Sequence, residues 1–188
     1  TLAAGDDRQF TATAYDAHGN VVSTAFAFAA SGGGTITTAG LFSATTTGTW
    51  TIYANASGVS GTATVTVEPG PIDAITVTPG TAAIAAGETA TFSATAHDTY
   101  GNVVSTSFTW ECDGGGTITG AGLYSAATTG TWTVYANASG VSGTATVTVD
   151  PGPVATIDLS PASVNLAAGD DQAFTATAYD AHGNVVSS

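Results

Sequence analysis

The chain has 188 residues, one basic side chain, Arg8, no lysine and 14 acidic residues, for a net charge of −13. Affinity for a phosphate backbone comes from Lys and Arg displacing counterions, so neither nucleic acid nor an anionic membrane surface is an expected partner. Charged residues make up only 8% of the chain, so the polar surface must come from Thr, Ser, Gly and Asn; the 36 threonines are β-branched and suit a pleated strand.

No apolar run approaches the ~18 residues needed to span a bilayer, and no signal peptide is visible, so the sequence reads as a mature or excised segment. The single cysteine, Cys112, has no internal partner for a disulfide. Its counterpart one repeat earlier is Ala30, which favours a small buried hydrophobe.

One long period organises the chain: Tyr15–Asn20 recurs as His97–Asn102 and as Tyr179–Asn184, two equal steps, and the same step carries Trp50 onto Trp132 and Tyr53–Gly61, unchanged, onto Tyr135–Gly143. Solenoid units run about 20–45 residues, and the step from Tyr15 to His97 is far longer, so the period marks a small self-contained domain. The predicted boundaries are 1–68 for a first repeat lacking its first strand, 71–150 for a complete second repeat and 153–188 for a partial third. Pro-Gly-Pro at 69–71 and 151–153 marks the joints as semi-rigid spacers.

In the second repeat, alternation predicts a strand over Ala74–Thr78 with Ile75 and Val77 on one face, ended by Pro79-Gly80. A strand over Ala90–Ala96 follows, with Phe92, Ala94 and Ala96 inward and Thr91, Ser93 and Thr95 outward. Asp98–Asn102 is a turn built from residues that bond their own backbone and tolerate positive φ. Val103–Trp110 is expected as one strand, with Phe108 and Trp110 facing in. Gly114–Gly116 leads through Ile118 to Leu123 and Tyr124. Thr131–Asn137 puts Trp132, Val134 and Ala136 inward and Tyr135 and Asn137 outward, and Gly140–Gly143 turns the chain into Thr144–Val149, with Ala145, Val147 and Val149 facing the core. About seven short strands, and nothing with helical spacing, predict an all-β fold: tandem immunoglobulin-like β-sandwich domains.

The segments Ile75–Pro79, Phe92–Ala96 with Gly87, Gly122–Ala126 and Ser142–Val149 resemble the bacterial and archaeal immunoglobulin-like tandem surface repeats of the Big, invasin and intimin type. That resemblance implies export, an extracellular or cell-surface setting and, in most hosts, a spacer role.

Catalysis needs convergent acids, bases or nucleophiles, and none is evident, so the chain is not expected to be an enzyme. His18 and His182 share one turn position, and His97 ends a strand. Asn55 and Asn137 each open an Asn-Ala-Ser acceptor for N-glycosylation. Outward threonines such as Thr131 with Thr133 are candidate O-glycosylation positions, with plain strand surface as the alternative. No cofactor is expected; calcium is the one metal candidate, with Glu68, Asp73, Asp98, Asp150 and Asp158 near joints or loops offering the oxygen ligands a hard cation takes. Residues 165–188 match 1–24 at 20 of 24 positions. Two readings follow: a window from a longer repetitive polypeptide, or strand donation between chains through Ala155, Thr156, Ile157, Asp158 and Leu159. The expected function is a structural component of an extracellular filament, surface layer or stalk. Its partners would be self-association or further repeats of the same chain, with attached glycans. The alternatives are an adhesin or carbohydrate-binding module using Tyr53, Tyr135 or Tyr100, and an accessory domain of a secreted enzyme.

Overall fold

The structure, a computed structural model, describes residues 1–187; Ser188, the last residue of the predicted third repeat, lies outside the described residues. Every regular element among the described residues is a β-strand. The described residues form two compact units: Thr1–Ala74 with Ala96–Ser105, and Ile75–Thr95 with 106–187.

In the second unit one sheet runs in the order Thr81–Ala85, Val141–Asp150, Gly130–Ala138, Thr109–Cys112. A facing sheet runs Thr89–Thr91, Leu123–Ala126, Gly116–Ile118. Alternation drives the packing: Val134, Ala136, Ala145, Val147 and Val149 are buried and meet Tyr124 and Ala126 from the other sheet, together with Phe92, which follows its first strand. The register pairs Trp132 with Val147 and Val134 with Ala145, so small and large side chains interdigitate across the strands. This strand order, two sheets joined by crossing connections, is that of an immunoglobulin-like sandwich. The tandem all-β sandwich predicted from the sequence is therefore the observed fold.

The first unit repeats the plan with Leu2–Ala3, Val59–Glu68, Gly48–Ala56 and Ala27–Ala30 in one sheet and Asp7–Gln9, Leu41–Ala44 and Gly34–Ile36 in the other. Its core is Leu2, Ala4, Phe42, Ala44, Ile52, Val65 and Val67, with Phe10 edge-on to Phe42 at 6.3 Å between ring centroids.

Four details differ from the strand-by-strand reading; one is that Val141–Gly143, read as part of a turn, already belongs to the strand Val141–Asp150. Ala90–Ala96 is not one strand: Thr89–Thr91 pairs with Leu123–Ser125, whereas Ser93–His97 lies between Ala74–Thr78 and Val103–Val104 in a separate sheet. The break falls at Phe92, whose amide donates instead to the Gly122 carbonyl at 2.8 Å. In–out alternation continues through the break, so the pattern cannot register the change of sheet. Val103–Trp110 likewise divides into Val103–Val104 and Thr109–Cys112. A further strand, Thr81–Ala85, pairs parallel with Thr146–Asp150; its alanines carry little strand signal of their own.

The long hairpins close through Ser57-Gly58 and Ser139-Gly140, with φ of 49° and 80° in the first and 51° and 81° in the second. Two consecutive positive φ values make a two-residue turn whose twist matches that of the flanking strands.

Candidate functional site

The recurring Asp-x-x-x-Asn turn is where the structure concentrates polar chemistry. In the first unit Asp98 Oδ1 accepts from the Tyr100 and Asn102 amides, both at 2.9 Å, so the carboxylate shapes its own turn. Its Oδ2 accepts from the Gly70 amide at 2.9 Å and from Asn102 Nδ2 at 2.8 Å. Asn102 then reaches outward: Nδ2 donates to the Thr45 carbonyl at 2.8 Å and Oδ1 accepts from the Thr47 amide at 3.3 Å. One turn thus holds both the Pro-Gly-Pro segment and the distant strand connection at Thr45–Thr47, which is why 96–105 belongs to this unit.

The second unit repeats the arrangement one period further along the chain. Asp180 accepts from His182, Asn184 and Gly152 amides and from Asn184 Nδ2; Asn184 bonds the Ala127 carbonyl and the Thr129 amide. Asp98 and Asp180 are each only 3% exposed. Asp16 makes the same local turn with His18 and Asn20 but is exposed.

Burial alone would raise the Asp98 carboxyl, but bonds from the Asn102 side chain, the Gly70 amide and the Asn102 and Tyr100 amides outweigh it and lower the pKa to about 2. Asp180 is lowered by the same balance, burial against bonds from Asn184, Gly152 and His182. A carboxyl depressed on folding stabilises the fold above its unfolded-state pKa of about 4 and loses that contribution as pH falls through the folded value. The urea midpoint is therefore expected to hold level from neutral pH to about 5 and to fall between about 4 and 2. Asp98→Asn is expected to make that fall shallower; an unchanged slope would show that Asp98 is not a source of it.

The calcium candidates are not brought together. Glu68, Asp73, Asp150 and Asp158 are exposed, Asp98 is already filled by N–H donors, and no group of three His, Cys, Asp or Glu converges among the described residues. The glycosylation candidates lie on the hairpin arms: Asn55 is paired with Ser60 and Asn137 with Ser142 across the strands. In each pair the asparagine Oδ1 accepts from the serine hydroxyl, a structural reason for an asparagine at this position. Ala155, Thr156, Ile157, Asp158 and Leu159 lie within the strand Val154–Ser160, hydrogen-bonded to Thr175–Asp180 of the same unit.

Tyr53 and Tyr135 are half-buried rather than exposed. Tyr100 is 49% exposed, but its ring covers Gly5, where an added Cβ would come within 2.7 Å of Tyr100 Cε2. His97 ends its strand, and His18 and His182 sit in exposed turns as expected. Cys112 is half-buried, packs against the core and lies 3.6 Å from the Gly116 carbonyl. The outward reach of Asn102 and Asn184 and the part played by Gly70 and Gly152 were missed by sequence reasoning. The joint recurrence of Asp-x-x-x-Asn and Pro-Gly-Pro at one period was the signal available.

No family profile and no curated protein matches the chain. Among solved structures it is similar to domains 4–9 of the surface layer protein SbsC, at 23% identity over 94% of this chain and 32% of that one, with a TM-score of 0.41. It is similar to FdeC, an Escherichia coli adhesin, at 23% identity over 86% of this chain and 62% of that one, with a TM-score of 0.47. Invasin, a bacterial integrin-binding protein, is 18% identical over 93% of this chain and 43% of that one, with a TM-score of 0.47. The chain spans about a third of the SbsC segment's length, and likeness at this level assigns no role to any residue. No helix among the described residues is long and apolar enough to cross a membrane.

Proposed function

We propose that this chain is a structural segment of an extracellular or cell-surface assembly, a filament, surface layer or stalk built from tandem immunoglobulin-like repeats, and that it performs no catalysis. The observation that carries this reading is the turn clasp formed twice with the same six hydrogen bonds. Charge-assisted bonds from backbone amides to a buried carboxylate are strong and directional, and together with two prolines at each joint they favour a spacer that resists bending. The scarcity of trypsin sites, Arg8 alone, suits an exposed setting.

We also assign N-linked glycans to Asn55 and Asn137. The oxygen of each amide accepts from the neighbouring serine, and Asn55 Nδ2, the atom that a glycan substitutes, makes only a long bond of 3.5 Å to the Ala27 carbonyl, weak enough to be given up.

The test is immunogold electron cryo-tomography of intact source cells, paired with mass spectrometry of peptides recovered from the native protein. Label on the outer surface, in a periodic layer, filament or stalk, is the expected result; label confined inside the envelope would overturn the reading. Unmodified Asn55 and Asn137 peptides would remove the glycan assignment while leaving the structural one standing.

A further inference from the structure

The hairpin Gly48–Glu68 and its copy Gly130–Asp150 are identical but for Ile52 against Val134 and the final acid. Ile52, Val65 and Val67 in the first and Val134, Val147 and Val149 in the second are buried, so alternation fixes which residues face outward. From Thr49 to Thr66 the outward positions are threonine or serine, with two exceptions: Tyr53 and the acceptor Asn55, repeated as Tyr135 and Asn137. Residues two apart lie on one face of a strand, about 7 Å from each other, so each ring is the neighbour of an acceptor amide. The residues paired with Tyr53 on either side are the short Ala29 and Thr62, and the ring is half-buried, with area left for a ligand.

The turn supplies a second observation. Among the described residues, Ser57 and Ser139 alone combine a side chain with a positive φ, 49° and 51°, and each is the third residue of an Asn-Ala-Ser acceptor. The first position of such a two-residue turn favours asparagine or aspartate, which tolerate the left-handed region better than serine. Asparagine would ease the turn but would remove the hydroxyl that the acceptor requires. Serine therefore stands at a strained position in both copies, and the acceptor is what it supplies there.

We propose that Tyr53 and Tyr135 are platforms for the first sugar of the glycans on Asn55 and Asn137: the pyranose lies along the strand, with the face that carries its axial C–H bonds on the tyrosine ring. This rests on the assignment of glycans to those asparagines. An aromatic face carries negative partial charge and a polarised C–H bond a positive one, so the two attract, and their contact removes apolar area of both from water. Less freedom is lost on packing because Ser60 and Ser142 already hold each amide by its oxygen. Ring and amide share a face only while the strand is formed, so the contact stabilises the folded hairpin and not the unfolded chain.

The test uses the full chain isolated from its source cells, with mass spectrometry establishing the occupancy of both asparagines in every form. Ser57→Asn with Ser139→Asn removes both acceptors while suiting the turn. Tyr53→Thr with Tyr135→Thr installs the residue type already present at Thr51 and Thr133, and all four substitutions together complete the cycle. Removing the acceptors is expected to lower the unfolding temperature by at least about 3 °C more when the tyrosines are present than when threonine replaces them. A readout that needs no variant is the NMR spectrum of the parent, in which the axial protons of the first sugar are expected to move upfield on folding, into the ring current of the tyrosine. Unmodified Asn55 and Asn137 in the native parent would overturn the glycan assignment and this proposal with it. Modified asparagines with either an equal temperature change in both backgrounds or unshifted sugar protons would overturn the platform alone.

Discussion

Asp98→Ala is expected to destabilise the first unit by about 2–4 kcal/mol, combining roughly 1 for a part-buried donor left without an acceptor and roughly 1.5–3 for the lost hydrogen bonds to a charged group, less what water regains. The Gly70 amide loses the acceptor it has among the described residues, whereas the Tyr100 amide lies on an exposed turn and can turn to water. Urea unfolding followed by Trp50, which lies in this unit, measures the loss, and amide exchange localises it: Gly70 and Thr47 should exchange faster while Val65 and Val67, in the core, change only with global stability. Asp16→Ala is the control. It removes the same three local bonds from an exposed turn that holds nothing else, so its midpoint should stay close to the parent's. Equal losses for the two variants would mean that the turn matters only to itself and that the contacts to Gly70, Thr45 and Thr47 contribute nothing.

That clasp also marks where sequence reading stops. Strand faces were legible because burial on one side of a pleated sheet forces a period of two: Ala145, Val147 and Val149 were placed inward and are 2%, 0% and 2% exposed. The turn at Asp98–Asn102 was legible because Asp, Gly and Asn each have a local reason to be there. What Asn102 touches was not, since Thr45 and Thr47 belong to the preceding repeat's sequence and no local pattern encodes that approach. The sheet change at Phe92 was hidden for a different reason: a strand can pass from one sheet to the other with its alternation intact. Tyr53 and Tyr135 were read as exposed from their outward positions, but a large ring on a sheet surface is within reach of its cross-strand and diagonal neighbours.

The glycine run Gly114–Gly116 was read as a connection, and its physical cause lies in an aromatic cluster. A Cβ on Gly115 would collide with the Trp132 indole and come within 2.5 Å of Tyr124 Oη, at a φ of 72°, so flat glycine backbone is what lets the two rings close over the end of the sandwich. Tyr124 is fully buried, and its hydroxyl donates to the Gly114 carbonyl at 2.8 Å.

Tyr124→Ala is accordingly expected to cost about 3–5 kcal/mol, the range for deleting a large aromatic from a packed core. Tyr124→Phe should cost only about 0.5–1.5 kcal/mol, a single hydrogen bond. The first repeat supports that asymmetry, since Phe42 occupies the equivalent place, equally buried, with no hydroxyl. Urea unfolding followed by Trp110 and Trp132 measures both variants; a loss under about 2 kcal/mol for Tyr124→Ala would show that the site collapses around the missing ring. Phe42→Ala, followed by Trp50, extends the comparison. Phe42 packs edge-on against Phe10, and Phe10 is itself only half-buried, so its neighbours have room to move into the space the ring vacates. The loss at Phe42 is therefore expected to be smaller than at Tyr124.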